Sequence, residues 1–232
     1  MRARQFFFVL AIGAAFAKSA ALGLADDRNS KTEKKPISVN VVIDVSEAPE
    51  AAGWLYRAKP LVIKWHPLIA DMLKSDGFTP TSQVKLVLKK DMKIPAATSG
   101  NVISISVDHI SQHPDDYGMV IHELVHVLQR YPKFDKDNWW LVEGIADYIR
   151  FYRFEPNTKL PRLDPSKASF RDGYKTSARF LAWIERKHDR AIVKKLNLAL
   201  RKGEYRPELF QDWTKQSLDQ LWLNFIRAMP AR

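Results

Sequence analysis

The stretch MVIHELVHVLQRY, residues 119–131, sets two of the chain's six histidines four positions apart, with an acid beside the first. On an α-helix His122 and His126 stand one above the other on the same face. Two imidazoles so placed can bind a single Zn²⁺. Glu123 is turned roughly 100° from His122, so its carboxylate can address a water beside the metal instead of the metal. This is the H-E-x-x-H arrangement of metallopeptidases, in which the glutamate is the general base. The chemistry expected of it is peptide hydrolysis by a water whose pKa zinc lowers from about 15.7 towards about 7. Glu123 takes its proton and passes it to the leaving amine.

Such a site needs a third protein ligand and an open fourth position. The extension H-E-x-x-H-x-x-G-x-x-H would require glycine at 129 and histidine at 132. The chain has Gln129 and Pro132, which excludes that class. The following segment, DNWWLVEGIADYIRFYR (137–153), offers Glu143 and, four residues later on the same helical face, Asp147. Glu143 as ligand completes a His₂Glu set, with Asp147 accepting an imidazole N–H to fix its tautomer. The reverse assignment, Asp147 as ligand and Glu143 behind it, is the alternative. The Glu-x-x-x-Asp order favours the first. Because the segment is otherwise almost wholly apolar, both carboxylates need partners, and a metal and an imidazole supply them. Gly144 is expected to let this helix pack closely on the histidine helix. A second donor to the developing oxyanion is expected from Tyr174 or Tyr148. His66, His109, His113 and His188 lack ligand-like spacing, and His109 and His113 are assigned to a loop.

The elements that must position these residues follow from periodicity. Residues 37–45, ISVNVVIDV, alternate as a strand, as do VKLVLKK (84–90) and NVISISVDHI (101–110). The last is a candidate edge for pairing with an extended peptide, with an ordinary strand inside the sheet as the alternative. IPAATSG (94–100) reads as a turn or loop. From residue 49 to residue 74 apolar residues recur at helical spacing, and Pro60 and Pro67 predict two helices or a kinked one. Helices are expected over 115–131, 137–153, 174–188, 191–202 and 217–229. Strands come first and helices after, with the histidines at the junction. The predicted class is α+β: a small mixed sheet with the active-site helix, then a mainly helical half.

The first 25 residues have the layout of a secretory signal peptide: Arg2 and Arg4, an apolar run over 6–17, then small residues. Cleavage after Ala25 is favoured over Ala17, and an uncleaved anchor is the alternative. The apolar run falls short of the roughly 20 residues of a membrane span. Residues 26–36 read as a flexible lead-in and 37–232 as one domain, with no transmembrane segment in the mature chain. The chain carries 37 Lys and Arg against 26 Asp and Glu. That excess favours association with polyanions such as cell-wall polymers. No basic stripe with interleaved aromatics points to nucleic acid. The absence of cysteine excludes disulfides, thiolate catalysis and Cys-ligated zinc.

Several motifs in order, HELVHVLQ, WLVEGIADYIR, GYKTSARFLAW, KLNLALRKGEY and SLDQLWLNF, resemble the basic secretory protein family, the peptidase family of plants and bacteria. KWHPLIADMLKSDGF and NVISISVDHI are similar to its upstream segments, and the likeness runs from residue 37 to residue 225. The resemblance implies a zincin-like, gluzincin-like fold and a secreted zinc-dependent peptidase acting on protein or peptide substrates. His122 and His126 would be ligands and Glu123 the base. Two other functions remain open: a metallohydrolase of a cell-wall amide, and a non-catalytic basic binding protein with a structural zinc. A structural zinc site is closed by four protein ligands, and the sequence offers three together with an unused glutamate.

Overall fold

Alternating β-branched residues build strands β1 (Asn40–Asp44) and β2 (Gln83–Lys89), while β3 (Ala96–Ser99) and β4 (Val102–Ser106) form a hairpin. The sheet order is β1-β2-β4-β3, with β1 and β4 parallel to β2 and β3 antiparallel to β4. The computed structural model describes residues 38–229, so the expected signal peptide and lead-in lie outside the described residues. Parallel neighbours need a crossover, and α1 (Ala52–Met72) provides it between β1 and β2. Among the described residues no helix is long and apolar enough to cross a membrane.

Two expectations about this half are corrected. The segment expected to be a loop contains β3, the terminal strand of the sheet, so β3 lines the cleft and NVISISV is the ordinary internal strand of its two alternatives. β4 ends at Ser106, whose hydroxyl accepts from His109 N (3.3 Å) and caps α2 (Val107–Gln112). His109 is therefore helical and His113 is the C-cap of that helix, not loop residues. Of the two alternatives for this segment, two helices or one kinked at its prolines, the structure has a single helix. One helix of 21 residues runs through both prolines. Pro60 removes an N–H that would bond four residues back, but Tyr56 is exposed there, so the freed carbonyl lies on the solvent side. The buried face, Trp54, Leu55, Ala58, Val62, His66, Ile69 and Ala70, continues without interruption.

α3 (Gly118–Gln129) is the central helix, with every residue buried except His126. It packs on β3, β4 and α1, and on α4 (Trp139–Ile149), which continues into a π-helical turn over Arg150–Phe154. α4 packs most extensively on α5 (Tyr174–Lys187). Gly144 serves that contact and not the expected one with α3: a Cβ there would stand 2.7 Å from Ser177 Cβ. α6 (Ile192–Lys202), α7 (Glu208–Thr214) and α8 (Leu218–Arg227) close this half over an aromatic core of Trp140, Phe170, Phe180, Phe210, Trp222 and Phe225. α7, at seven residues, is too short to show a period and was not anticipated. The architecture is a small mixed four-stranded sheet with a mainly helical second half, as the pattern of strands then helices implied.

Candidate active site

Consecutive turns of α3 supply His122 and His126, and α4 supplies Glu143. His122 Nε2 lies 3.0 Å from His126 Nε2 and 3.2 Å from Glu143 Oε2. His126 Nε2 lies 3.4 Å from that same oxygen. Ligands bound tetrahedrally at zinc distances stand about 3.3 Å from one another. The three atoms already have the spacing of one face of such a site, and two imidazoles with a carboxylate suit zinc chemically.

The opposite edges of both rings are held. His122 Nδ1 lies 2.7 Å from Asp147 Oδ1. Asp147 is thus behind the imidazole, and Glu143 is the acid that meets the Nε2 atoms. His126 Nδ1 lies 2.7 Å from Gln129 Oε1, and Gln129 Nε2 donates to Val142 O at 2.9 Å. Burial opposes a charge on His122, but the carboxylates of Asp147 and Glu143 outweigh it and hold its pKa up at about 9. Burial likewise opposes ionisation of Glu143, and the two imidazoles outweigh it and hold that carboxyl down at about 2. A positive charge is favoured at the point where the three ligand atoms meet.

Glu123 is buried beside this point. The Thr98 hydroxyl lies 2.7 Å from Glu123 Oε2 and 3.0 Å from Glu123 O, and its single proton can serve one of them at a time. The shorter contact, to a carboxylate, is the stronger. Thr98 thereby ties the glutamate to the sheet edge. Glu123 and the three ligand atoms open on a cleft of about 1100 Å³, walled by β3, the N-terminal end of α5 and the loop after α3.

Tyr174 stands over the site at the start of α5. Its ring is stacked 6.1 Å from that of His122 and meets Trp139 edge-on at 6.0 Å. Its backbone has φ 45°, an uncommon value outside glycine. Gly173 before it has φ 70°, and a Cβ there would stand 2.6 Å from the Trp139 ring. Partial burial raises the Tyr174 pKa, and nearby Glu143, Asp147 and Glu123 raise it further, so the phenol keeps its proton. Tyr148, the other candidate, points away: its hydroxyl donates to Glu185 Oε1 at 2.6 Å, under α5.

Two contacts escaped the sequence reading. Thr98 carries no sequence signal, because IPAATSG has the composition of a loop. Gln129 did have one, since it follows His126 by three residues on the same helix. At one end of the cleft His109 Nε2 lies 3.0 Å from Asp116 Oδ2, and Arg150 Nη2 holds Asp116 Oδ1 at 2.5 Å.

The fold is mixed α+β, with a four-stranded mixed sheet and a mostly helical half. It is similar to the crystal structure of an M1 zinc metallopeptidase from Deinococcus radiodurans, with a TM-score of 0.50 at 13% identity. The match covers 73% of this chain and 44% of that one, so this chain spans under half of that metallopeptidase. Sequence comparison narrows the class. The family described as "Peptidase of plants and bacteria" matches residues 43–225, and the chain belongs to it. No curated protein matches the chain.

Proposed function

We propose that this protein is an exported zinc-dependent peptidase in which His122, His126 and Glu143 hold the metal and Glu123 is the general base. The observation that carries this reading is the convergence of three ligand atoms at 3.0–3.4 Å, with each imidazole held from behind. Zinc held by these residues would supply a Lewis acid for the scissile carbonyl and lower the pKa of the water nucleophile. Thr98 binds Oε2 of Glu123, leaving Oε1 to take the proton of the attacking water and deliver it to the leaving amine. Tyr174, kept protonated, donates to the carbonyl oxygen as negative charge develops there. Asp147 holds the His122 ring so that Nε2 faces inward. The protein or peptide substrate lies extended along the outer edge of β3, whose other edge is taken by β4. Among the described residues three side chains converge as ligands, with Glu123 beside them. A structural site would be closed by a fourth. Export rests on the N-terminal layout of the sequence, and the mature chain is expected to begin at Asp26.

The test is zinc content and casein hydrolysis of the wild type and Glu123→Ala. Zinc in both, with kcat lowered by about 10²–10⁴-fold in the variant, is expected. A folded wild type that takes up no stoichiometric zinc on reconstitution would sink the proposal. N-terminal sequencing of protein recovered from outside the cytoplasm tests the export separately; an intact Met1 there contradicts cleavage.

A further inference from the structure

We propose that Gln129 is the positioning residue of His126, a neutral counterpart to Asp147 that also fixes the two ligand-bearing helices to each other. The inference rests on the zinc reading above. Gln129 is 2% exposed, and a buried amide must find partners for both of its ends. Val142 O can only accept, so the amide nitrogen must face it (2.9 Å). The amide oxygen is then left facing His126 Nδ1 (2.7 Å). An amide oxygen accepts and does not donate, so Nδ1 must carry the proton and the Nε2 lone pair is presented to the site. The tautomer is set without adding a charge.

The second end matters as much. Val142 immediately precedes Glu143, so one side chain holds the imidazole of one ligand and the backbone beside another. Across the site, Asp147 does the equivalent for His122 with a full negative charge. Using a carboxylate at one imidazole and an amide at the other limits the anionic groups gathered around the ligand atoms. Gln129 touches neither substrate nor metal in this arrangement. It acts through His126 and α4.

Gln129→Glu and Gln129→Met separate the two contacts. Glutamate keeps an acceptor for Nδ1–H and loses the donor to Val142 O, whereas methionine loses both. Zinc affinity is measured by chelator competition and the thermal midpoint on the metal-free proteins. The ¹⁵N shifts of His126 are read in the metal-free wild type at pH 8. The expected result is a proton on Nδ1 in the wild type and zinc binding weakened by about 10–100-fold in Gln129→Met. Gln129→Glu should bind within a few-fold of wild type by the same reasoning, while both variants lose thermal stability. A purely structural role would instead lower both midpoints and leave both zinc affinities alike, which overturns the proposal. So does a neutral His126 protonated on Nε2. If the wild type itself binds no zinc, the proposed function fails, and the tautomer still decides the role of Gln129.

Discussion

Two buried polar clusters share α3, and they treat their polar atoms in opposite ways. At its middle, His122, His126, Asp147 and Gln129 are paired at every ring and amide position described above, and the free directions converge on one point. At its C-terminal end, Arg201 reaches in from α6. Its Nη2 lies 3.2 Å from both Leu73 O and Leu128 O and 3.3 Å from Asn197 Oδ1, joining the ends of α1 and α3. Among the described residues no carboxylate pairs with it. Its guanidinium lies 3.4 Å from the centre of the Phe78 ring, so the cation is met by carbonyls at helix C-termini and by an aromatic face. Arg201 Nε and Nη1 make no hydrogen bond. The ring nitrogens of His66, nearby in sequence to Leu73, make no hydrogen bond of good geometry either. One cluster spends its acids to aim side chains. The other spreads a single cation over helix ends and tolerates loose atoms, which is sufficient for holding helices together.

That contrast can be tested from both sides. Tyr174→Phe deletes one hydroxyl at the proposed catalytic cluster and is expected to lower kcat by about 10²–10³-fold. Steady-state kinetics with zinc content and thermal midpoint in parallel would show KM, metal and stability held. A loss shared with stability would make Tyr174 a packing residue instead. Arg201→Met should do the reverse. It takes the Arg201 donor from two helix-end carbonyls, of which Leu73 O keeps Asn197 Nδ2 at 3.0 Å, and is expected to cost about 2 kcal/mol of stability by urea titration. Hydrolysis by the folded fraction should be unchanged, and zinc lost from folded Arg201→Met would erase the distinction between the clusters. The smallest effect concerns His66. Burial pushes its pKa below the ordinary value of 6.5, with only the backbone at Thr81 opposing. The unfolded chain therefore binds the proton more readily, and stability falls as pH drops through about 6.5. His66→Leu should flatten the pH dependence of the urea midpoint between pH 7 and pH 5. A slope equal to wild type would place the acid sensitivity elsewhere.

The histidine–carboxylate cluster was far more legible in the sequence than the scaffolding one, for a physical reason. His122, Glu123, His126, Glu143 and Asp147 sit on two long helices, where spacing alone decides which side chains share a face. Thr98 was hidden because β3 holds only four residues, two of them alanine, and is a strand only because β4 pairs with it. Helix α2 was hidden for a similar reason, since a six-residue helix depends on the Ser106 cap and not on a period. The target of Gly144 could not be read either. A small residue announces a close approach, but only the fold says that the neighbour is Ser177 of α5. Arg201 acts across 128 residues to Leu73, a distance over which no local pattern extends.

The near-complete burial of α3 also bears on how such a protein can diverge. Eleven of its twelve residues are buried, so almost any substitution along it is felt by the core and by the histidine cluster together. Mutational drift cannot adjust the one without disturbing the other. Room for change lies instead in the walls that α3 does not own: the four residues of β3, the exposed Phe134 in the loop after α3, and the half-exposed start of α5. On the proposed function, new preferences for one substrate over another would accumulate there while the histidine cluster stays fixed beneath.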